Sequence, residues 1–423
     1  MEPQTSCRLT FHALLSENAG LMPRMALCRG VSCLMLIASV LLSSRAAHAY
    51  AWMIKYGFSK CGTCHTDPAG GETLNGMGRA QAELRLSAGG DDAELPSDSG
   101  QFLFGAITEP EGVRLGGSYR HLFLYTAAVE GLPSTFRQFP MQLDVYGSAR
   151  IGRVVLGASL GVARGIEGSA YVRGAQINQE AGAGFIVLSR NHYVGLWLQD
   201  DTLLRFGRIN LPFGIRMPEH TVWVRESTRT DRESDQQHGA SLSYTGGPWR
   251  ADAMLVIGNF QLNPDRFRER GFAGSLEYLV APTLAVGGSA LLTHSREDAL
   301  TRVENSIRYV YGVNARYGAS PKLSLLGEFD LLKEGGRKGG LTGFLQADYE
   351  ALRGLHLMLT GEILDQGLLD RDDVLPVPGA GAPRYGAWIS VDWFFMNHFE
   401  LRLDAVMHQD DVFHGLAQLH FYF

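Results

Sequence analysis

The chain has 423 residues, 45% of them apolar and 19% charged, with 51 glycines and a formal net charge of −6. The length admits one large domain or two to three average ones. A mean hydropathy of −0.05 excludes a bundle of membrane-spanning helices, each of which needs about 20 consecutive apolar residues. The mild acidity, without any basic block, argues against a nucleic-acid partner.

In chain order, Arg24 and Arg29 precede an apolar run from Val31 to Leu42, then Ser43-Ser44-Arg45-Ala46-Ala47-His48-Ala49. Basic, apolar and small-residue segments in that order predict a secretory signal over residues 1–49, cleaved after Ala47-His48-Ala49 to leave Tyr50 first. The apolar run is too short to span a bilayer. Counted from Met1 the presequence exceeds a usual signal, so translation is expected to start at Met22 or Met25. Cysteines occur at Cys7, Cys28, Cys33, Cys61 and Cys64. The first three lie in or before the signal, and neither Cys28 nor Cys33 has a lipoprotein context. The mature chain therefore keeps Cys61 and Cys64, which exclude a disulfide framework.

That pair stands in Cys61-Gly62-Thr63-Cys64-His65, the attachment motif of c-type haem. The spacing follows from the chemistry: two thiols reach the vinyl groups on one edge of the macrocycle, and the next residue sets an imidazole against the iron. A dithiol redox pair would sit in a thioredoxin-like βαβ pattern, and a closed zinc site needs four ligands. Neither context surrounds the motif. Residues 50–98 are thus predicted to be a short segment carrying one covalently bound haem c, with Cys61 and Cys64 as thioethers and His65 as proximal ligand. For the distal position Met77, in Leu74-Asn75-Gly76-Met77-Gly78-Arg79, is the tentative candidate, with packing beside the porphyrin as its alternative role. Met53 upstream and barrel histidines such as His414 or His420 are the others. Gly70-Gly71 and Gly76-Met77-Gly78 imply tight turns close to the haem. So short a segment cannot bury a haem alone, so another part of the molecule must cover it.

From residue 102 to 423 the sequence repeats segments of about ten residues with alternating polarity. In the last, Phe413, Gly415, Ala417, Leu419, Phe421 and Phe423 share one face, with His414, Gln418, His420 and Tyr422 mostly opposite. The preceding segment sets Phe399, Leu401, Leu403, Ala405 and Met407 against Glu400, Arg402, Asp404 and His408. Met141 to Arg150 and Leu323 to Leu331 alternate likewise. The expectation is an all-β fold, a transmembrane antiparallel barrel of about sixteen strands from Val113 onward, with apolar faces to lipid and polar faces to the lumen. Short turns at 149–152, 199–201, 244–247, 280–282 and 318–321 alternate with long stretches near 127–137, 164–190, 213–237, 258–271, 294–305, 332–340 and 365–383. An even strand count puts both barrel ends in the periplasm of a Gram-negative-type cell. A soluble β-sandwich is the competing fold. An aqueous lumen of this size invites a plug, and the haem segment lies next to it in sequence.

The order of signal peptide, Cys61-x-x-Cys64-His65, the Leu74–Arg79 stretch and a barrel with the porin-like phrase Gly207-Arg208-Ile209-Asn210-Leu211-Pro212-Phe213-Gly214 resembles the fused monohaem cytochrome–porins. Their best-known members are outer-membrane iron oxidases. The resemblance covers essentially the whole mature chain, with the haem motif as its specific part. It implies electron transfer across the outer membrane, from an extracellular donor such as Fe(II), through the haem, to a periplasmic c-type cytochrome. Two alternatives are a solute porin with a structural or sensory haem, and a barrel that anchors a periplasmic electron carrier. Glu219, His220, Arg225, Glu226, Arg229, Asp231, Arg232, Glu233 and Asp235 crowd one long connection, expected to be a solvated external loop rather than a constriction. His408, His414 and His420 are expected to satisfy a wet interior rather than line a metal path.

Overall fold

The computed structural model describes residues 50–423 except 72, 89–100, 129–132, 165–175, 178–184, 220, 231–234, 336, 368–380 and 410–412. The predicted signal and Cys7, Cys28 and Cys33 lie outside the described residues, as do the end of the predicted haem segment and His220, Asp231, Arg232 and Glu233 of the charged connection.

Seventeen strands form one sheet. They are β1 (Val113–Thr126), β2 (Thr135–Ile151), β3 (Val154–Arg164), β4 (Phe185–Leu188), β5 (His192–Gln199) and β6 (Thr202–Ile209). Then come β7 (Gln237–Tyr244), β8 (Trp249–Gly258), β9 (Arg270–Ala281), β10 (Leu284–Glu297), β11 (Glu304–Ser320) and β12 (Leu323–Lys333). The last are β13 (Gly340–Leu352), β14 (Leu355–Asp365), β15 (Arg384–Met396), β16 (Phe399–His408) and β17 (His414–Tyr422). Consecutive strands pair antiparallel, and β1 pairs with both β2 and β17, which closes the ring. β3 faces β4 along Gly161–Arg164 and β5 along Val154–Ala158. β4 and β5 are therefore two halves of one stave, and the barrel has 16. Where that stave breaks, the Ser159 hydroxyl accepts the backbone N–H groups of Arg190 and Asn191 at 3.1 and 2.9 Å, so the interrupted ladder leaves neither donor stranded.

Period-2 alternation decides which face each residue takes. On β12, Ser324, Glu328 and Asp330 are buried inward while Phe329 and Leu331 are exposed outward. On β14, His356, Thr360 and Glu362 point in and Leu357 and Leu359 point out. The expected assignment holds along the wall. A polar inner face beside an apolar outer one is the reverse of a soluble sandwich, and in hydrocarbon only a closed sheet satisfies every backbone group. Exposed Tyr244, Trp249, Tyr278, Tyr317, Tyr349 and Trp393 gather near the short-turn end, while Tyr125, Phe136, Phe272, Tyr385 and Phe413 lie toward the opposite rim. These are the interfacial girdles of an outer-membrane barrel.

The turns after β2, β5, β7, β9, β11, β13 and β15 are short, and apart from the break at 189–191 the other connections are longer. The strands begin at Val113, and both ends of the barrel emerge on the short-turn side, which is the periplasmic one. One long connection departs from expectation. The described residues of this connection between β6 and β7, 210–219, 221–230 and 235–236, fold into the lumen instead of out to solvent. Phe213, Ile215, Met217, Val222, Trp223 and Val224 are buried there, the last two on helix α1 (Trp223–Thr228). Of its charged residues, expected to be solvated, Glu226 is exposed, whereas Glu219, Arg225 and Arg229 are buried latches. Arg225 pairs with Glu328 on β12, Glu219 with Arg402 on β16 at 2.7 Å, and Glu362 on β14 accepts the Trp223 N–H at 2.8 Å. Gly214 turns through φ 61° against the wall, where an added Cβ would lie 2.1 Å from a Glu328 carboxylate oxygen.

Candidate haem site

The segment from Tyr50 to Ala88 sits inside the short-turn half of the lumen, tied to the wall at many points. It opens with a 3-10 helix, Ala51–Tyr56, ended by Gly57 at φ 83°. Lys55 Nζ lies 3.1 Å from both Asp348 and Glu350 on β13, with every partner nearly or fully buried. Tyr56 donates to Glu350, Tyr50 donates to Glu400 on β16 at 3.0 Å, and Trp52 stacks against His356 with ring centres 4.2 Å apart. Trp52, Met53, Cys64, Leu74 and Leu86 join Ile215, Val222 and Val224 of the inward loop and wall residues such as Phe344 and Trp388 in one apolar cluster. This loop and wall cover the segment.

The motif itself forms a 3-10 turn, Cys61–Thr63, with the Cys64 and His65 amides both donating to the Cys61 carbonyl. Asn75 organises it. Its side-chain amide donates to the carbonyls of Gly62, Thr63 and His65 at 3.1–3.2 Å, its backbone N–H donates to Cys64, and its carbonyl oxygen caps helix α2 (Gly76–Gln81) by accepting the Gly78 N–H at 2.9 Å. A Cβ on Gly78 would lie 2.1 Å from the Cys64 carbonyl oxygen, so only glycine lets the helix start this close. Gly70 and Gly71, at φ 86° and 89°, fold the chain back over Cys61; a Cβ at Gly70 would lie 3.2 Å from the Cys61 sulfur. Arg79 forks onto Glu109 at 2.6 and 2.8 Å, fixing α2 to the lead into β1.

A cavity of about 70 Å³ is bounded by this turn, the 3-10 helix, the inward loop at Gly214–Arg216 and the inner wall of β8, β9 and β11. Cys61, Cys64 and His65 all line it, together with Met53, Phe58, Arg216, Arg250 and Arg316. A second cavity of about 340 Å³ also borders His65, with Arg114, Arg150 and Trp197 near the short-turn rim. Cys61 and Cys64 are thiols; burial first, and the neighbouring Cys61 second, push Cys64 up to about 11. Two thiols and an imidazole lining one cavity are the donor set of a c-type haem. The motif loop, packed so closely that two of its glycines cannot be replaced without displacement, fits it as well.

Met77 is placed elsewhere. It is 50% exposed on α2, and its sulfur accepts from Gln81 at 3.7 Å rather than lining the cavity. The barrel histidines are also engaged away from it. His420 bridges Glu400 and Ser118 at 2.7 and 2.8 Å, His408 bonds Glu362 at 2.7 Å, and His414 meets Thr126 at 3.2 Å. Reading the sequence missed Asn75, although an Asn ahead of a short helical pattern is a capping signal. It also missed Arg216, which donates to the Gly70 carbonyl at 2.9 Å. No local pattern marks that arginine.

Among solved structures the barrel is similar to OmpT of Vibrio cholerae in its trimer form, at 10% identity over 74% of this chain and 99% of that one, with a TM-score of 0.54. It is similar to Salmonella typhi OmpF in complex with daunomycin, at 12% identity, 74% and 97% coverage and a TM-score of 0.52. An anion-selective porin from Comamonas acidovorans matches at 13% identity, 74% and 99% coverage and a TM-score of 0.52. The fold is that of an outer-membrane porin. No protein-family model and no curated protein sequence matches the chain. In this porin fold the staves, the lipid-facing girdles and an inward loop account for the barrel, and the segment carrying Cys61-x-x-Cys64-His65 lies inside it.

Proposed function

We propose that this porin-fold barrel is an electron conduit through the outer membrane, accepting electrons from an extracellular donor of the Fe(II) class and passing them to a periplasmic c-type cytochrome. The observation that carries the reading is that Cys61, Cys64 and His65 line one cavity enclosed between the lumenal segment, the inward loop and the wall. Bound there through two thioethers with His65 on the iron, a haem c supplies one-electron chemistry. The protein's own contribution is position. A hydrocarbon core of about 30 Å separates an outer donor from a periplasmic acceptor, and residues 50–88 hold the motif within the lumen between them. The second cavity, with His65 in its wall and Arg114 and Arg150 at its rim, gives the acceptor side an approach to the motif loop. The likeness to porins favours a second reading, a solute channel whose haem is structural.

The reading is tested on purified protein in liposomes with the outer face outward, recording the visible haem band before and after Fe(II) is added outside. Reduction of the band is expected. A band that stays oxidised, together with ion flux through the same vesicles, would establish the channel reading instead. Cys61→Ala and Cys64→Ala are each expected to abolish two-point covalent attachment, with the double variant negative by haem stain on a denaturing gel. A double variant that still stains would remove the attachment site from these residues.

A further inference from the structure

We propose that Met53 is the second protein ligand of the haem iron, an inference that rests on the haem reading above. Of the described side chains lining the cavity with Cys61, Cys64 and His65, Met53 supplies the one soft neutral donor other than His65 and the two thiols destined for thioethers. The remaining donors are committed elsewhere. Tyr50 gives its hydroxyl proton to Glu400, Lys60 donates to the Thr245 and Gly247 carbonyls, and Glu277 is forked by Arg316 at 2.6 and 2.8 Å. Outside the cavity, Met77 is half exposed, Met217 packs in the apolar cluster without lining the cavity, and His420 has both ring nitrogens engaged.

Met53 is also held where it is. Its side chain is 2% exposed, so no water competes for the sulfur from solvent. The helix that carries it is fixed on either side by Trp52 against His356 and by Lys55 between Asp348 and Glu350. Gly57, in the left-handed region, then reverses the chain so that Phe58 to Cys61 return along the same cavity. Two elements pinned to the wall independently, the 3-10 helix and the motif turn, thus present a thioether and an imidazole to one space. Methionine beside histidine favours the reduced iron and raises the potential relative to two histidines.

The experiment uses haem-loaded full-length protein in detergent. The oxidised wild type is expected to show the weak red charge-transfer band of sulfur-ligated ferric haem and the matching near-infrared magnetic circular dichroism signal. Met53→Leu should lose both while retaining the haem stain, and should bind added imidazole or cyanide faster. At fixed solution potential its reduced-to-oxidised ratio should fall about tenfold or more, which is about 59 mV for a one-electron couple. Met53→His should restore six-coordinate low-spin haem at a lowered potential, and Met77→Leu should change nothing. A sulfur signal that survives Met53→Leu, or a wild type with no sulfur signal, would overturn the proposal while leaving the haem in place. A wild type without covalent haem would overturn the haem reading itself. The wild-type spectrum decides the matter even where a variant does not fold.

Discussion

Asn75 shows how much one side chain can organise. Its amide holds three carbonyls of the motif loop and its oxygen caps the helix that follows. Asn75→Asp keeps the cap but replaces two donors with a charge facing those carbonyls, so it should harm the site at least as much as Asn75→Ala. Losing partners for buried carbonyls costs about 1–3 kcal/mol each. The expected outcome is haem stain per unit of folded barrel falling in both variants, with heat-modifiable gel mobility showing that the barrel still forms. Equal loading of Asn75→Asp and wild type would show that the cap alone matters. Far from the motif, Asp298 sits in the connection between β10 and β11. Burial pushes its carboxyl up, but Arg229 at 2.9 Å and the N–H groups of Thr301 and Leu300 outweigh that and hold it well below the usual carboxylate range. A depressed folded value means the stabilisation is complete above the unfolded value near 4 and is lost progressively as pH falls from there through the lower folded one. This loop should therefore resist pepsin at pH 3 as it resists trypsin at pH 7, whereas Asp298→Asn should be cut at both. Cleavage of the wild type beginning at pH 4 would contradict the shift.

At the scale of elements, the strands were legible because burial on one face of a sheet enforces a period of two that local sequence must carry. Met141 to Arg150 and Leu323 to Leu331 fall within β2 and β12, and the expected short turns fall where the chain reverses. The interrupted stave was not separable from its loop, because the break at 189–191 is stabilised by Ser159 of a neighbouring strand. The connection between β6 and β7 misled for a related reason. Its charges look solvated in sequence, yet Arg225, Glu219 and Arg229 find partners on β12, β16 and other loops far along the chain. Cys61, Cys64 and His65 were legible as a group because haem chemistry fixes their spacing, whereas the choice between Met53 and Met77 depends on which helix faces the cavity. Breaking the latch tests the element. Arg225→Ala leaves Glu328 buried without its ion pair, at a cost of about 3–5 kcal/mol. The loop should detach from β12 and single-channel conductance in planar bilayers should rise. Unchanged conductance would show that the remaining latches, or the lumenal segment alone, close the passage.

At the scale of the whole molecule, segment and loop together occupy the lumen that porin-fold barrels otherwise leave to solutes. The polar inner wall is correspondingly occupied. Asp348, Glu350, Glu400, Glu328 and Glu362 face protein groups rather than water, which suits a barrel built to hold something still. The spread of those partners along the chain has a temporal consequence. Tyr50 reaches Glu400 across 350 residues, and Lys55 reaches Asp348 across 293. The amino-terminal part of the described chain thus finds partners on β13 and β16, among the last staves of the sequence. Non-local contacts of this kind form late. On the haem reading proposed above, the motif is expected to stay accessible to haem attachment until the final stave meets the first. Ring closure then doubles as a quality gate, since an unfinished barrel offers no berth for its own amino-terminal cargo.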